Sequence, residues 1–211
     1  MLLNKKEIKD VFNILDKYYK NSADTELKYI NPYTLLVAVV LSAQATDKGV
    51  NKATKDLFNF IDTPEKMVKL GENNLKEYIK SINYCNVKAK HIISLSKKLI
   101  ENFNSKVPNN IKDLISLDGV GRKTANIILN TVFGITSIAV DTHVFRVSNR
   151  LGLVKADNVL DTEKQLERRV PQNTKKSINK FLVLFGRYVC KAKNPLCNEC
   201  PLNRICKNRH N

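Results

Sequence analysis

Acidic residues are the scarce charge in this chain: 20 Asp and Glu stand against 36 Lys and Arg, a formal net charge of +16 over 211 residues. That imbalance raises the expectation of a polyanionic partner, although a lysine-rich solvated surface would also produce it. Long hydrophobic runs are missing as well. The most apolar stretch, Leu35 to Leu41, sits in an uncharged run from Tyr29 to Thr46 that holds Asn31, Pro32, Ser42 and Gln44. A bilayer span needs about 20 predominantly apolar residues, so the segment is predicted to be a buried helix and no membrane association is expected. The opening MLLNKKEIKD already mixes lysines with acids, which predicts no secretory leader. The expected compartment is therefore reducing and cytoplasmic, which argues against structural disulfides. Strand-type alternation, internal repeats and low-complexity segments are all lacking.

What is present is helical periodicity, in a chain long enough for one sizeable core or two small ones. Candidate helices run roughly over 5–19, 32–45, 48–60, 64–70, 73–82, 87–103, 111–117, 121–133, 142–152, 160–169 and 176–190. Asn31-Pro32 and Thr63-Pro64 each place a capping side chain before a proline at the first helical position. Asn110 precedes IKDLISL, and Gly71, Pro108, Gly134 and Pro171 punctuate the connections. The predicted fold class is all-α.

Four of the five cysteines crowd the C-terminal end as Cys190-x6-Cys197-x2-Cys200-x5-Cys206. Thiolates so close in sequence can converge on one soft centre, and ligand type alone leaves zinc and an iron–sulfur cluster level. The spacing matches neither a zinc ribbon nor the common ferredoxin runs. Two disulfides or scattered thiols are the alternatives. Cys85 stands apart and reads as a lone buried thiol. From Arg187 onward six Lys/Arg (Arg187, Lys191, Lys193, Arg204, Lys207, Arg209) face one acid, Glu199. A basic tail wound around such a centre suits nucleic acid better than lipid, since no long amphipathic basic helix accompanies it.

A second constellation lies mid-chain. Ile111 to Leu117 reads as a short helix, Asp118-Gly119-Val120-Gly121 as a tight turn, and Arg122-Lys123-Thr124-Ala125 as the opening of another helix. Gly119 and Gly121 permit positive φ and close backbone approach, and the helix mouth would present amides to an anion. Such a hairpin grips a DNA phosphate without reading sequence. An ordinary αα-turn needs the same glycines for geometry alone. Lys123 would sit in the first helical turn, where the macrodipole acts against the ammonium form. A lysine amine attacks carbon only when neutral, so the position suits a nucleophile as well as a solvated charge. Further on, Asp141-Thr142-His143 reads as an N-cap or as a carboxylate that stabilises a developing cation and moves protons. His143 reads more simply as a hydrogen-bonded structural group.

Together these pieces resemble the endonuclease III family of DNA base-excision glycosylases. The carrying residues are Leu41-Ser-Ala-Gln-Ala-Thr-Asp47, Leu117-Asp-Gly-Val-Gly-Arg-Lys-Thr-Ala125, Val140-Asp-Thr-His143 and the Cys-x6-Cys-x2-Cys-x5-Cys tail, in the family's order and spacing. The resemblance implies two helical domains flanking a cleft: a six-helix domain at about 25–135, and a discontinuous domain of 1–24 with 136–211. Cys190, Cys197, Cys200 and Cys206 would hold a [4Fe-4S] cluster in the second. Lys123 and Asp141 would face each other across the cleft. The implied reaction removes an oxidised pyrimidine of the thymine glycol type from duplex DNA through a Lys123 Schiff base, then cuts the strand by β-elimination. Gln44 would fill the gap left by the flipped nucleotide, while Tyr84, Gly119, Gly121, Arg122, His143, Lys191 and Lys193 would contact DNA. The implied protein is a monomer acting on damaged double-stranded DNA at the bacterial nucleoid.

Two positions depart from the family pattern. Asp118 stands where proline is usual, which predicts repulsion of a nearby phosphate unless Arg122 or Lys123 screens it. Ile82-Asn-Tyr-Cys-Asn86 stands where the family commonly carries a Gly-Leu-Tyr-type sequence, so at Tyr84 an aromatic ring takes the place of an apolar wedge. Rival readings are an adenine-specific mismatch glycosylase, disfavoured by the presence of Lys123 and the lack of an acid in Leu35 to Leu41, a monofunctional glycosylase, and a non-catalytic DNA-docking module.

Overall fold

The computed structural model describes residues 1–22 and 25–208; Arg209 of the basic tail lies outside them. Its regular structure among those residues is eleven α-helices, with no strand: α1 (Lys5–Tyr19), α2 (Pro32–Ser42), α3 (Asp47–Phe60), α4 (Pro64–Leu70), α5 (Glu72–Ile79), α6 (Cys85–Phe103), α7 (Ile111–Ile115), α8 (Arg122–Phe133), α9 (Thr142–Leu151), α10 (Val159–Arg169) and α11 (Gln172–Tyr188). The all-α expectation stands. No helix among the described residues is long and apolar enough to cross a membrane.

The helix starts follow from local chemistry. Asn31 and Thr63 accept hydrogen bonds from the backbone amides of Thr34 and Lys66, each ahead of a proline. Asn4 and Glu7 form a reciprocal capping box on α1. The largest difference from the periodicity is α11, which begins at Gln172 instead of near 176. Its first turn is polar, Pro171 is its N-cap, and no side chain caps it, so the start leaves no hydrophobic trace.

The chain divides into two compact units, Thr25–Phe133 and the combination of Met1–Asp24 with Gly134–Asn211. The first holds α2 to α8. Every residue of α2 from Tyr33 to Leu41 is buried, so this helix is the axis about which the unit packs, as its uncharged sequence predicts. Leu57, Met67, Leu75, Ile92, Leu95 and Ile128 pack into the same core. In the second unit α1 buries Ile8, Val11, Phe12 and Leu15 along one stripe. That stripe joins a core with Val144, Val147, Leu151, Ile178 and Phe185 from α9 and α11. The N-terminal helix is thus bound to the C-terminal third of the chain. Arg169 reinforces this by donating to the carbonyls of Leu153 (2.7 Å) and Leu3 (2.6 Å).

Candidate functional site

In the Thr25–Phe133 unit, α7 and α8 are joined by a tight turn. Leu114, Leu117 and Val120 are buried and anchor it from below, while Gly119, Gly121, Arg122 and Lys123 are exposed above. The first backbone hydrogen bond of α8 runs from Ala125 N to Gly121 O at 2.9 Å. The amides up to Thr124 therefore belong to the opening turn and point along its N-terminal axis.

The two glycines are needed for different reasons. Gly119 has φ +75°, and a Cβ there would meet the ring Nδ1 of His91 at 3.0 Å and its Cβ at 3.1 Å. A Cβ on Gly121 would meet nothing within 4 Å. The first is a requirement of the fold, and the second leaves open space at the helix mouth.

Helix α6 backs this hairpin. Besides the His91 contact, Ser94 Oγ donates to the Asp118 carboxylate and Lys98 Nζ donates to Ser116 O at 2.5 Å. The residue that departs from the family's proline is thus held by a hydroxyl one turn beyond His91, which ties the carboxylate to α6.

The same helix reaches a second exposed turn with its other end. Between α2 and α3, Gln44 adopts φ +54° and is exposed. Tyr84, the N-cap of α6, adopts φ +60° and is 64 % exposed. Lys88, only 6 % exposed, donates from Nζ to the carbonyls of Leu41 (2.8 Å) and Ala43 (2.6 Å). Burial pushes its ammonium below the usual lysine range. These bonds satisfy carbonyls at the C-terminal end of α2, where no intrahelical donor remains. Asn83 Nδ2 donates to Gln44 O at 3.0 Å.

In the other unit Asp141 is the N-cap of α9, and its Oδ1 accepts from Val144 N at 2.8 Å. His143 packs where α9 crosses Gly186 of α11: a Cβ on Gly186 would meet the His143 ring Nδ1 at 3.1 Å. The same ring nitrogen lies 3.3 Å from Arg146 Nη2. Arg146 also donates to Cys190 O and Gly186 O. One turn on, Arg150 donates to the carbonyls of Lys191 (2.7 Å) and Ala192 (3.0 Å), with Nη1 3.8 Å from Cys190 Sγ. The loop from Lys191 to Leu196 is closed by Leu196 N to Val189 O at 3.0 Å, leaving Lys191 and Lys193 exposed.

Cys190, Cys197, Cys200 and Cys206 are all free thiols and line one cavity whose walls include Leu151, Phe185, Val189 and Leu196. Burial pushes the Cys200 thiol up, and the sulfurs of Cys206, Cys190 and Cys197 add to that push. Four thiolates can share such a space only around cationic metal. Among the described residues no three His, Cys, Asp or Glu close on a single ion. Four thiolate donors lining one cavity fit an iron–sulfur cluster.

Fold and site together define a helix–hairpin–helix protein with a cysteine-held centre. Residues 37–172 match the HhH-GPD superfamily of base excision DNA repair proteins, and residues 190–206 match the iron–sulfur binding domain of endonuclease III. The chain is 52% identical over 199 residues to endonuclease III of Rickettsia conorii, covering 94% of each. It is 46% identical over 183 residues to that of Escherichia coli, covering 87% of each. A solved structure of a trapped endonuclease III–DNA covalent intermediate, an estranged-adenine complex, shares 42% identity with a TM-score of 0.91, over 98% of this chain and 97% of that one. The chain belongs to the endonuclease III family, the DNA N-glycosylases with AP lyase activity of base-excision repair. Its cofactor is the iron–sulfur cluster of that family, of the [4Fe-4S] type.

Sequence reasoning missed Lys88, Asn83, Arg146 and Arg150. Only the arginines left a usable signal: His143, Arg146 and Arg150 recur at three- and four-residue spacing along one face of α9.

Proposed function

We propose that the protein removes oxidised pyrimidines of the thymine glycol type from duplex DNA and cleaves the strand 3′ to the resulting site. The observation that carries this reading is the position of Lys123. It lies exposed in the opening turn of α8, beside amides and a glycine that leave room for a phosphate. A solved relative of 42% identity is a covalent DNA intermediate.

In this reading the hairpin amides and Arg122 hold a phosphate beside the lesion. Neutral Lys123 Nζ attacks C1′, and the C1′–base bond breaks with its electron pair leaving on the base, which takes up a proton. The new C1′ amine gives up a proton, O4′ takes one as the C1′–O4′ bond opens, and a protonated imine forms. That cation acidifies the C2′ hydrogens. Removing one drives out the 3′ phosphate, and water then releases the lysine. Asp141 stabilises the positive charge that develops at C1′ and carries protons. Flipping a damaged nucleotide costs a few kcal/mol, and Gln44 and Tyr84 fill the space it vacates. Lys191, Lys193 and His143 complete the phosphate-facing set.

The four cysteines would each give one thiolate to the cluster. Bound there, the cluster would supply a rigid frame for the loop from Lys191 to Leu196, whose Lys191 and Lys193 carry the positive charge; Arg146 and Arg150 brace that loop from α9. We place the protein, as a monomer, at the nucleoid of a bacterial cytoplasm, in keeping with its bacterial relatives.

The test is a comparison of base release and strand cleavage on a duplex with one thymine glycol, for wild type, Lys123→Gln and Asp141→Asn. Loss of both activities in the lysine variant, with DNA binding kept, is expected. Cleavage by Lys123→Gln at the wild-type rate would overturn the assignment.

A further inference from the structure

Gln44 and Tyr84 both hold positive φ on exposed turns, a conformation that non-glycine residues keep only where their surroundings fix it. The fixing groups of the Gln44 turn come from the residues around Tyr84. Asn83, its chain neighbour, donates to Gln44 O at 3.0 Å. Lys88, whose amide bonds to Tyr84 O at 3.0 Å, donates from its ammonium to the carbonyls of Leu41 and Ala43. The carbonyls of residues 41, 43 and 44 are thus held by two side chains from the residues around Tyr84. Gln44, Thr46 and Gly49 from one side and Ser81 and Asn83 from the other line the groove at this turn.

We infer that Asn83 is a positioning residue that locks Gln44 and Tyr84 into one two-pronged wedge, so that both enter the duplex together at the flipped nucleotide. Lys88 sets the turn from beneath, and Asn83 fixes its outer, exposed edge. The inference rests on the proposed base-excision reading for its consequence, though the coupling belongs to the free protein. Asn83 has no need to touch DNA in this account. Its contribution passes through the backbone of Gln44.

A double-mutant cycle tests it, using Asn83→Ala, Gln44→Ala and the pair, on the iron–sulfur-loaded full chain. Single-turnover release of thymine glycol is measured with saturating enzyme, beside affinity for undamaged duplex. Losing one hydrogen bond of this kind is expected to slow release by about fivefold in Asn83→Ala, with affinity for undamaged duplex unchanged. In the Gln44→Ala background the same substitution is expected to change the rate by less than about twofold. An equal loss in both backgrounds would mean that Asn83 acts on DNA directly and would overturn the inference. So would an Asn83→Ala variant as fast as wild type. A second readout needs no activity: amide relaxation at Gln44 and Ala45 in the free protein is expected to show greater mobility in Asn83→Ala. Unchanged relaxation there refutes the coupling. Increased mobility in a protein that releases no base upholds the coupling and removes the base-excision reading instead.

Discussion

The two hairpin glycines offer a separation between what the fold needs and what a ligand needs. Replacing Gly119 with alanine forces a Cβ into φ +75°, which costs an L-residue about 1–2 kcal/mol. The same Cβ meets His91 at 3.0 to 3.2 Å, at the root of its ring as well as at Nδ1. That contact adds about 1 kcal/mol of overpacking, because α6 cannot retreat without disturbing Ser94 and Lys98. Gly119→Ala is therefore predicted to lose about 2–3 kcal/mol. His91→Ala in that background should recover only the ring's share of the contact, under about 1 kcal/mol, because alanine keeps the Cβ at 3.1 Å, and should leave the backbone part. Gly121→Ala meets nothing and is predicted to cost under about 1 kcal/mol, the modest penalty of alanine at a helix mouth. On the proposed reading its methyl stands where a phosphate must approach, so duplex affinity should fall about tenfold. Guanidinium titration by circular dichroism and duplex binding at fixed salt read the two effects separately. A Gly119→Ala protein as stable as wild type would refute the strain argument, and wild-type affinity in Gly121→Ala would remove the phosphate from that mouth.

Three further substitutions have expected outcomes. Lys88→Met strips a buried donor from the carbonyls of Leu41 and Ala43 and is predicted to destabilise by about 2 kcal/mol. Because burial lowers the Lys88 pKa below 10.5, the unfolded chain binds more protons between the two values. Wild-type stability relative to Lys88→Met should therefore rise with pH across that window and stay flat below it. Parallel denaturation curves would contradict this. Lys191→Ala and Lys193→Ala should each weaken binding to all sequences alike and reduce the slope of log K against log salt by about 0.9; unchanged slopes would take the loop out of the interface. Ser148 Oγ is buried without a hydrogen-bond partner among the described residues. Ser148→Ala is predicted to stabilise by up to about 1 kcal/mol, and a loss of stability on denaturant titration would show that the hydroxyl contributes.

How far the sequence led depends on whether the cause is local. Asn31-Pro32 and Thr63-Pro64 announce helix starts because capping and proline geometry act within four residues. The Gly119-Val-Gly121 turn and the four-cysteine spacing were legible for the same reason. The burial of Lys88 was not, since its acceptors lie 47 and 45 residues away and lysine composition points to solvent. Arg150 reaches carbonyls 41 and 42 residues distant, a pairing set by how α9 packs in its unit. Positive φ at Gln44 and Tyr84 was equally hidden, because neither residue type favours it and tertiary hydrogen bonds impose it.

The measurement closest to the central claim is borohydride trapping on a duplex carrying one thymine glycol, followed by peptide mapping of the reduced adduct. The account predicts a covalent protein–DNA species whose modified peptide contains Lys123, and none with Lys123→Gln. An adduct on another residue, or base release with no adduct in wild type, would contradict it.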